Sequence, residues 1–194
     1  MKKAIFIILT FIIFGCTESV EIDQGIKNQI DKLQTLQEKE DYLKKIFEDD
    51  QSVRGTNPEL LKLNHGADSK EYKEYVNNQL KTDALNLQKV EYYLSKFDHP
   101  SKSDSMNYKA QSAIWAVIQH SDTAARERNF EHLYEAQLKG DFDLYWILSR
   151  MYQIRKRKKF QMPKDSKYDN EVDQLIFELG LEEKKNKVIQ KLNN

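Results

Sequence analysis

The chain has 194 residues, in which 31 lysines and arginines balance 31 aspartates and glutamates. Because a nucleic-acid-binding protein needs a basic surplus to neutralise phosphates, this balance argues against a nucleic-acid partner. Hydrophobic residues make up 39% of the chain, enough for one core, which we expect Trp115 and Trp146 to help fill. Leu, Lys, Glu and Gln are abundant, whereas only six glycines and three prolines occur, and this favours helices over a sheet rich in turns.

The first fifteen residues differ in composition from the rest. Lys2 and Lys3 precede an apolar run over residues 4–14. This run is shorter than the roughly 20 residues that a membrane-spanning helix needs, and it is typical of a secretory signal. It ends at Ile13-Phe14-Gly15-Cys16, which resembles the lipobox of bacterial lipoproteins, where the chain is cut before a cysteine that carries the lipid.

We therefore predict three segments. Residues 1–15 form a lipoprotein signal peptide, residues 16–25 form the lipidated cysteine with its tether, and residues 26–194 form a helical domain. The expected location is the bacterial cell envelope, on the periplasmic or cell-surface side, with the membrane bound through lipid on Cys16. Because Cys16 is the only cysteine, no thiol remains for a disulfide or for catalysis.

Apolar residues recurring at steps of three and four predict five longer helices. In chain order they cover residues 26–47, 70–96, 106–120, 121–140 and a segment that begins at Asp141 or Asp143. We expect an irregular connection between the first two, and one or two short helices between residues 170 and 192, separated at Gly180. No strand-like alternation persists. The prediction is an all-α domain, a single bundle of about five to seven helices.

The third predicted helix ends with a polar cluster. Counting about 100° per residue, His120 lies on the same apolar stripe as Ala113 and Val117, whereas Gln119 points towards the side of Trp115. We expect this helix to be central and its terminal imidazole to point inward.

Two interpretations of that imidazole are open. His120 can act as a general base oriented by a carboxylate such as Asp122 or one from another segment. Alternatively, its ring bonds a backbone carbonyl or a tyrosine inside the bundle, while Asp122 caps the next helix. The second interpretation is favoured, because a single histidine on an apolar face is usually a satisfied core residue.

Further polar residues are candidate site residues. Asp50 and Arg54 are spaced to form an ion pair at an exposed helix end, which we favour over a role for Arg54 in holding an anionic ligand. Asp83 and Asn86 lie one turn apart and can meet His120 across a bundle.

The remaining chemical motifs are absent from the sequence. The four histidines lack paired spacing, so we predict no metal site, and no glycine-rich phosphate loop or G-x-S-x-G turn occurs, so we predict no cofactor. The basic run 155–159 can touch anionic headgroups, but we favour a solvated helix end.

An ordered set of short motifs runs through residues 43–161. They are Asp50-Gln51-x-x-Arg54, Asp83-x-x-Asn86, His99-Pro100-Ser101-Lys102, Ile118-Gln119-His120-Ser121-Asp122 and Ser149-Arg150-Met151. This order resembles the DUF6624 family, a helical family common in bacteria and often found on lipoproteins, with no assigned reaction. The chain departs from the family pattern at Asp98, where the family has glycine, at Ser149, where it has aspartate, and in the closing segment 159–162.

Two functions follow as hypotheses. The leading one is a non-enzymatic, membrane-tethered domain that binds a protein or a small ligand. The competing one is a hydrolase-like enzyme that uses His120 with Asp122 or Asp50, and Arg54 or Arg150 to hold an anion. The ligand-binding candidates are Arg54, Asp83, Asn86, Gln119 and Arg150. An enzyme would gather His120, Asp50, Arg54, Asn86 and Arg150 around one open cleft. A binding domain would instead bury His120 against a carbonyl and leave Arg54 and Arg150 in unrelated ion pairs.

Overall fold

A computed structural model describes residues 21–194, and helices are the only regular secondary structure within them. Cys16 and the predicted signal peptide lie outside the described residues. The helices are α1 Gln24–Ile30, α2 Leu36–Ser52, α3 Pro58–His65, α4 Lys70–Phe97, α5 Tyr108–His120, α6 Thr123–Arg128, α7 Phe130–Leu138, α8 Tyr145–Lys156, α9 Glu171–Leu179 and α10 Glu182–Asn193. The all-α prediction is confirmed. The predicted number of five to seven helices is wrong, because this part of the chain contains ten.

The additional helices arise where side chains cap the backbone. The helix predicted over residues 26–47 is divided, because the Thr35 hydroxyl accepts from the Glu38 amide and the Glu38 carboxylate accepts from the Thr35 amide, which starts α2 afresh. The helix predicted over residues 121–140 is divided at Asn129, whose side chain donates to the Ala125 carbonyl.

The predicted irregular connection contains one of the extra helices. Asn57 accepts from the first amides of α3, and Pro58 occupies its first turn, so a helix starts within the segment that is predicted to be irregular. Near the C-terminus the predicted break is present, because Gly180 adopts φ 71° and ends α9.

Helix α5 lies at the centre of the bundle, packed against α2 and α4. Its buried residues are Ala110, Ala113, Ile114, Ala116, Val117 and Ile118. The expectation that the tryptophans fill the core is wrong, since Trp115 is 37% exposed and Trp146 is 57% exposed. No helix within residues 21–194 is long and apolar enough to cross a membrane.

Candidate functional site

The last turn of α2 carries a buried carboxylate with three side-chain partners. Asp50 is fully buried. Its Oδ1 atom lies 3.0 Å from Arg54 Nη1 and 3.1 Å from His120 Nδ1, and its Oδ2 atom accepts from Gln51 Nε2 at 2.8 Å. We call Asp50, Gln51, Arg54, Asp83 and His120 the Asp50 network.

Arg54 joins α2 to α4 within the Asp50 network. Its Nη2 atom donates to Asp83 Oδ1 at 2.6 Å, and its Nη1 atom also donates to the carbonyl of Asp50 at 2.6 Å. The predicted pair with Asp50 therefore exists, but it is buried rather than at an exposed helix end, because α2 ends against α4 and α5. Both terminal nitrogens already have carboxylate partners, so Arg54 is poorly suited to hold a ligand.

The imidazole of His120 is directed towards α2 and half-exposed, with 31% of its side chain accessible. The expectation that the ring points into the core is wrong, because α5 ends at His120, at the edge of the bundle. The expected carbonyl or tyrosine partner is also wrong, since the partner is Asp50. A carboxylate only accepts, so the contact favours the tautomer with the proton on Nδ1 and leaves Nε2 to exchange protons.

Two other candidates have local roles. The Asp122 carboxylate accepts from the Ala125 amide at 2.7 Å and caps α6, which is the capping role that the sequence predicts. The side-chain amide of Asn86 is buried and donates to the Ile46 carbonyl at 3.4 Å. Neither residue hydrogen-bonds to His120 in the structure.

Gln119 faces a separate feature, a cavity of about 330 Å³ between the end of α5, helix α8 and the segment that follows α8. We call it the Arg150 cavity, and the lining residues that matter below are Gln119, Tyr145, Trp146, Arg150, Lys159 and Phe160. Arg150 therefore lies apart from the Asp50 network. The single cleft expected of an enzyme is not formed by these residues.

The Arg150 cavity is rich in positive charge. Arg150 donates to the side chain of Gln153 at 2.8 Å, and neither it nor Lys159 forms an ion pair with any residue between 21 and 194. Close by, the guanidinium of Arg126 is buried. Its pKa is lowered from its ordinary value, first by desolvation and then by the positive charge of Arg150.

Arg126 is a residue that sequence reasoning missed. Its Nε atom donates to the Ile118 carbonyl at 3.2 Å and its Nη2 atom donates to the Gln119 carbonyl, so it satisfies the last turn of α5. Its Nη1 atom is buried and has no partner among the residues that the structure describes. No local pattern marks this role, because the carbonyls that it caps belong to the preceding helix.

The motif His99-Pro100-Ser101-Lys102 lies at a second cavity, of about 220 Å³, which Trp115 also lines. Asp141 holds this turn, since its Oδ1 atom accepts from the Ser101 hydroxyl at 3.1 Å and the Lys102 amide at 2.8 Å. Burial lowers the pKa of His99 below its ordinary value. This favours a neutral ring in the folded protein.

All five residues of the basic run 155–159 are exposed, and α8 ends within the run, in agreement with the favoured interpretation of a solvated helix end. Arg155 pairs with Glu127 and donates to the Leu179 carbonyl at 3.0 Å, which ties α8 to α6 and α9. Lys159 lies at the Arg150 cavity. In the described part of the chain, no three His, Cys, Asp or Glu side chains converge as a metal site would require.

The fold and these two features define an all-helical domain with a buried ionic network on one side of α5 and a cationic cavity on the other. Comparisons of the chain with protein-family models, with curated proteins and with solved structures found no match. The resemblance to the DUF6624 family stays a prediction. Three of the short motifs that carry the resemblance, those containing Asp50, Asp83 and His120, meet in the Asp50 network. The motif that contains Arg150 lines the Arg150 cavity instead.

Proposed function

We propose that the chain is a lipid-anchored domain of the bacterial cell envelope that binds a small ligand in the Arg150 cavity. The observation that carries the binding role is the exposure of Trp146 beside Arg150 and Lys159, two cations with no carboxylate partner within residues 21–194. Small-molecule sites are typically lined by apolar and aromatic side chains with a few polar or charged groups.

The composition of the Arg150 cavity has a cost in the unliganded fold. Trp146 leaves much apolar surface in water, and its burial would be worth a few kcal/mol. The Gln119 Oε1 atom is buried without a hydrogen-bond partner in the described residues, a condition that costs about 1–3 kcal/mol. A ligand that covers the indole would recover the first of these contributions.

The anchoring part of the proposal is supported by the lipobox-like motif that ends at Cys16, which lies outside the described residues. Two acyl chains on one cysteine give stable attachment, unlike a single chain. We expect Cys16→Ser to release the protein from the membrane fraction, and a variant that stays in that fraction would exclude the lipid anchor.

The binding role is testable because the chain has two tryptophans, and they line different cavities. The full chain, labelled with 5-fluorotryptophan and held in lipid nanodiscs, should give two ¹⁹F resonances, assigned with Trp146→Phe. A set of small aromatic and sugar-like fragments should include members that shift the Trp146 resonance saturably and leave Trp115 unchanged. If no fragment in the set shifts Trp146, the binding role at this cavity is wrong.

A second candidate, a hydrolase-like enzyme, is favoured by one contact, between the buried carboxylate of Asp50 and Nδ1 of His120. An imidazole oriented in this way can serve as a general base, an effect worth about 10²–10⁴ in rate. The matched control is His132, whose Nδ1 atom lies 3.3 Å from the exposed carboxylate of Asp98. Hydrolysis of 4-nitrophenyl acetate should fall at least about tenfold in His120→Ala and not in His132→Ala. Equal rates in the two variants would remove this candidate.

A further inference from the structure

The charges that line the Arg150 cavity distinguish it from the other cavities of comparable size. The cavity that contains Trp115 is also lined by Asp141 and Asp143, and a third, of about 560 Å³, is lined by Glu171 and Asp173. No carboxylate lines the Arg150 cavity among the residues that the structure describes. Of these three cavities, it is therefore the one whose walls attract an anion and repel a cation.

Two cations line this cavity from different segments, since Arg150 belongs to α8 and Lys159 follows α8. The buried Arg126 of α6 does not line the cavity, but it lies close enough to Arg150 for the two charges to repel. Arg150 is steadied by its hydrogen bond to Gln153, which leaves other guanidinium N–H groups to donate. A planar guanidinium recognises carboxylate and phosphate oxygens through paired hydrogen bonds.

The walls of the Arg150 cavity are aromatic. Trp146 is the more exposed ring, and Tyr145 contacts it edge-on with ring centroids 5.3 Å apart. Phe160 is held in place by Tyr152, with ring centroids also 5.3 Å apart. These rings offer a flat apolar surface beside the cations, so the shape and chemistry suit a molecule with an apolar body and a charged end.

We propose that the ligand of the Arg150 cavity is an oxyanion, a phosphate or a carboxylate, attached to an aromatic or similarly flat group. This inference rests on the proposed binding role. The oxyanion contacts Arg150 and Lys159, and the flat group lies against Trp146.

Three probes that share one ring separate the contributions of charge and shape. Phenyl phosphate, benzoate and phenol are titrated, up to roughly 10 mM, into the fluorotryptophan-labelled full chain in nanodiscs, at a constant salt concentration of about 0.15 M. We expect phenyl phosphate or benzoate to shift the Trp146 resonance saturably, with at least about tenfold higher affinity than phenol. The tighter of the two anions identifies the oxyanion.

Variants of matched charge test whether Arg150 is the contact. Arg150→Gln should weaken binding of the tighter anion about fivefold or more, because a direct charge-assisted contact is lost. Lys156→Gln removes one positive charge from the same helix at an exposed position that does not line the cavity, and it should leave the affinity within about twofold.

The outcomes separate this inference from the broader binding role. If fragments bind at Trp146 but phenol binds as tightly as the anions, the oxyanion is wrong and the binding role stands. An equal loss of affinity in Arg150→Gln and Lys156→Gln would also overturn the inference, because it would show only a general effect of net charge. If no fragment and no probe shifts Trp146, the binding role itself fails.

Discussion

The two sides of the C-terminal end of α5 differ in whether their charged side chains are paired within the protein. On one side, the Asp50 network buries a carboxylate and gives it three side-chain donors, and Arg54 is shared between Asp50 and Asp83. On the other side, Arg150 and Lys159 face the Arg150 cavity without a carboxylate partner in the described residues. Gln119 and His120 are adjacent in sequence, yet one belongs to each side.

This difference separates polar groups that hold the fold together from polar groups that are available to a ligand. A buried charge whose partners are all supplied by the protein fixes the relative positions of helices, because losing one partner leaves the others desolvated and unpaired. A half-exposed cation without a partner contributes little to folding. The Asp50 network thus positions α2, α4 and α5, and the Arg150 cavity is the side where binding is expected.

The largest change in the free energy of unfolding is expected at the centre of the Asp50 network. Asp50→Ala should lower the free energy of unfolding by about 3 kcal/mol, measured by urea denaturation, because it removes the shared acceptor of Arg54 and His120 and leaves a cavity. The matched control is Asp49→Ala, which removes the neighbouring acid. That side chain is 30% exposed and pairs with Lys45 and Lys89, so its loss should cost less than about 1 kcal/mol.

Equal destabilisation by Asp50→Ala and Asp49→Ala would contradict the structural role of the Asp50 network. It would mean that the position of Asp50 in the core adds nothing to the pairs it makes, and that the network is no more structural than a surface ion pair.

The helices and the contacts between residues close in sequence can be predicted from the sequence, but the contacts between distant residues cannot. Helices α4 and α5 follow from apolar periodicity, and the pair between Asp50 and Arg54 follows from their spacing of four. The contact between Asp50 and His120 joins residues 70 positions apart. No local pattern reveals it, because it depends on how α5 packs against α2.

The errors in the sequence analysis share a physical cause. Periodicity shows which segments can be helical, but caps such as those at Thr35 and Asn57 decide where one helix stops and another begins. Similarly, composition cannot show whether a tryptophan is buried. The size and apolar character of Trp146 predict a core position, and its exposure follows only from the packing of α8.

The smallest change in the free energy of unfolding is expected at the Arg150 cavity, and it is the most informative of these measurements. Arg150→Gln should change the free energy of unfolding by no more than about 0.5 kcal/mol, measured in the same way, since Arg150 has no ion pair within residues 21–194. Its charge also lowers the pKa of buried Arg126, so its removal relieves a repulsion and the change is expected to be slightly stabilising. A loss of 2 kcal/mol or more, on the order of that from a buried pair, would show that Arg150 supports the fold and would weaken the case for a ligand. If Arg150→Gln keeps its stability but loses anion binding, the position of Arg150 serves the ligand and not the fold. This outcome is expected where stability and function compete at one site.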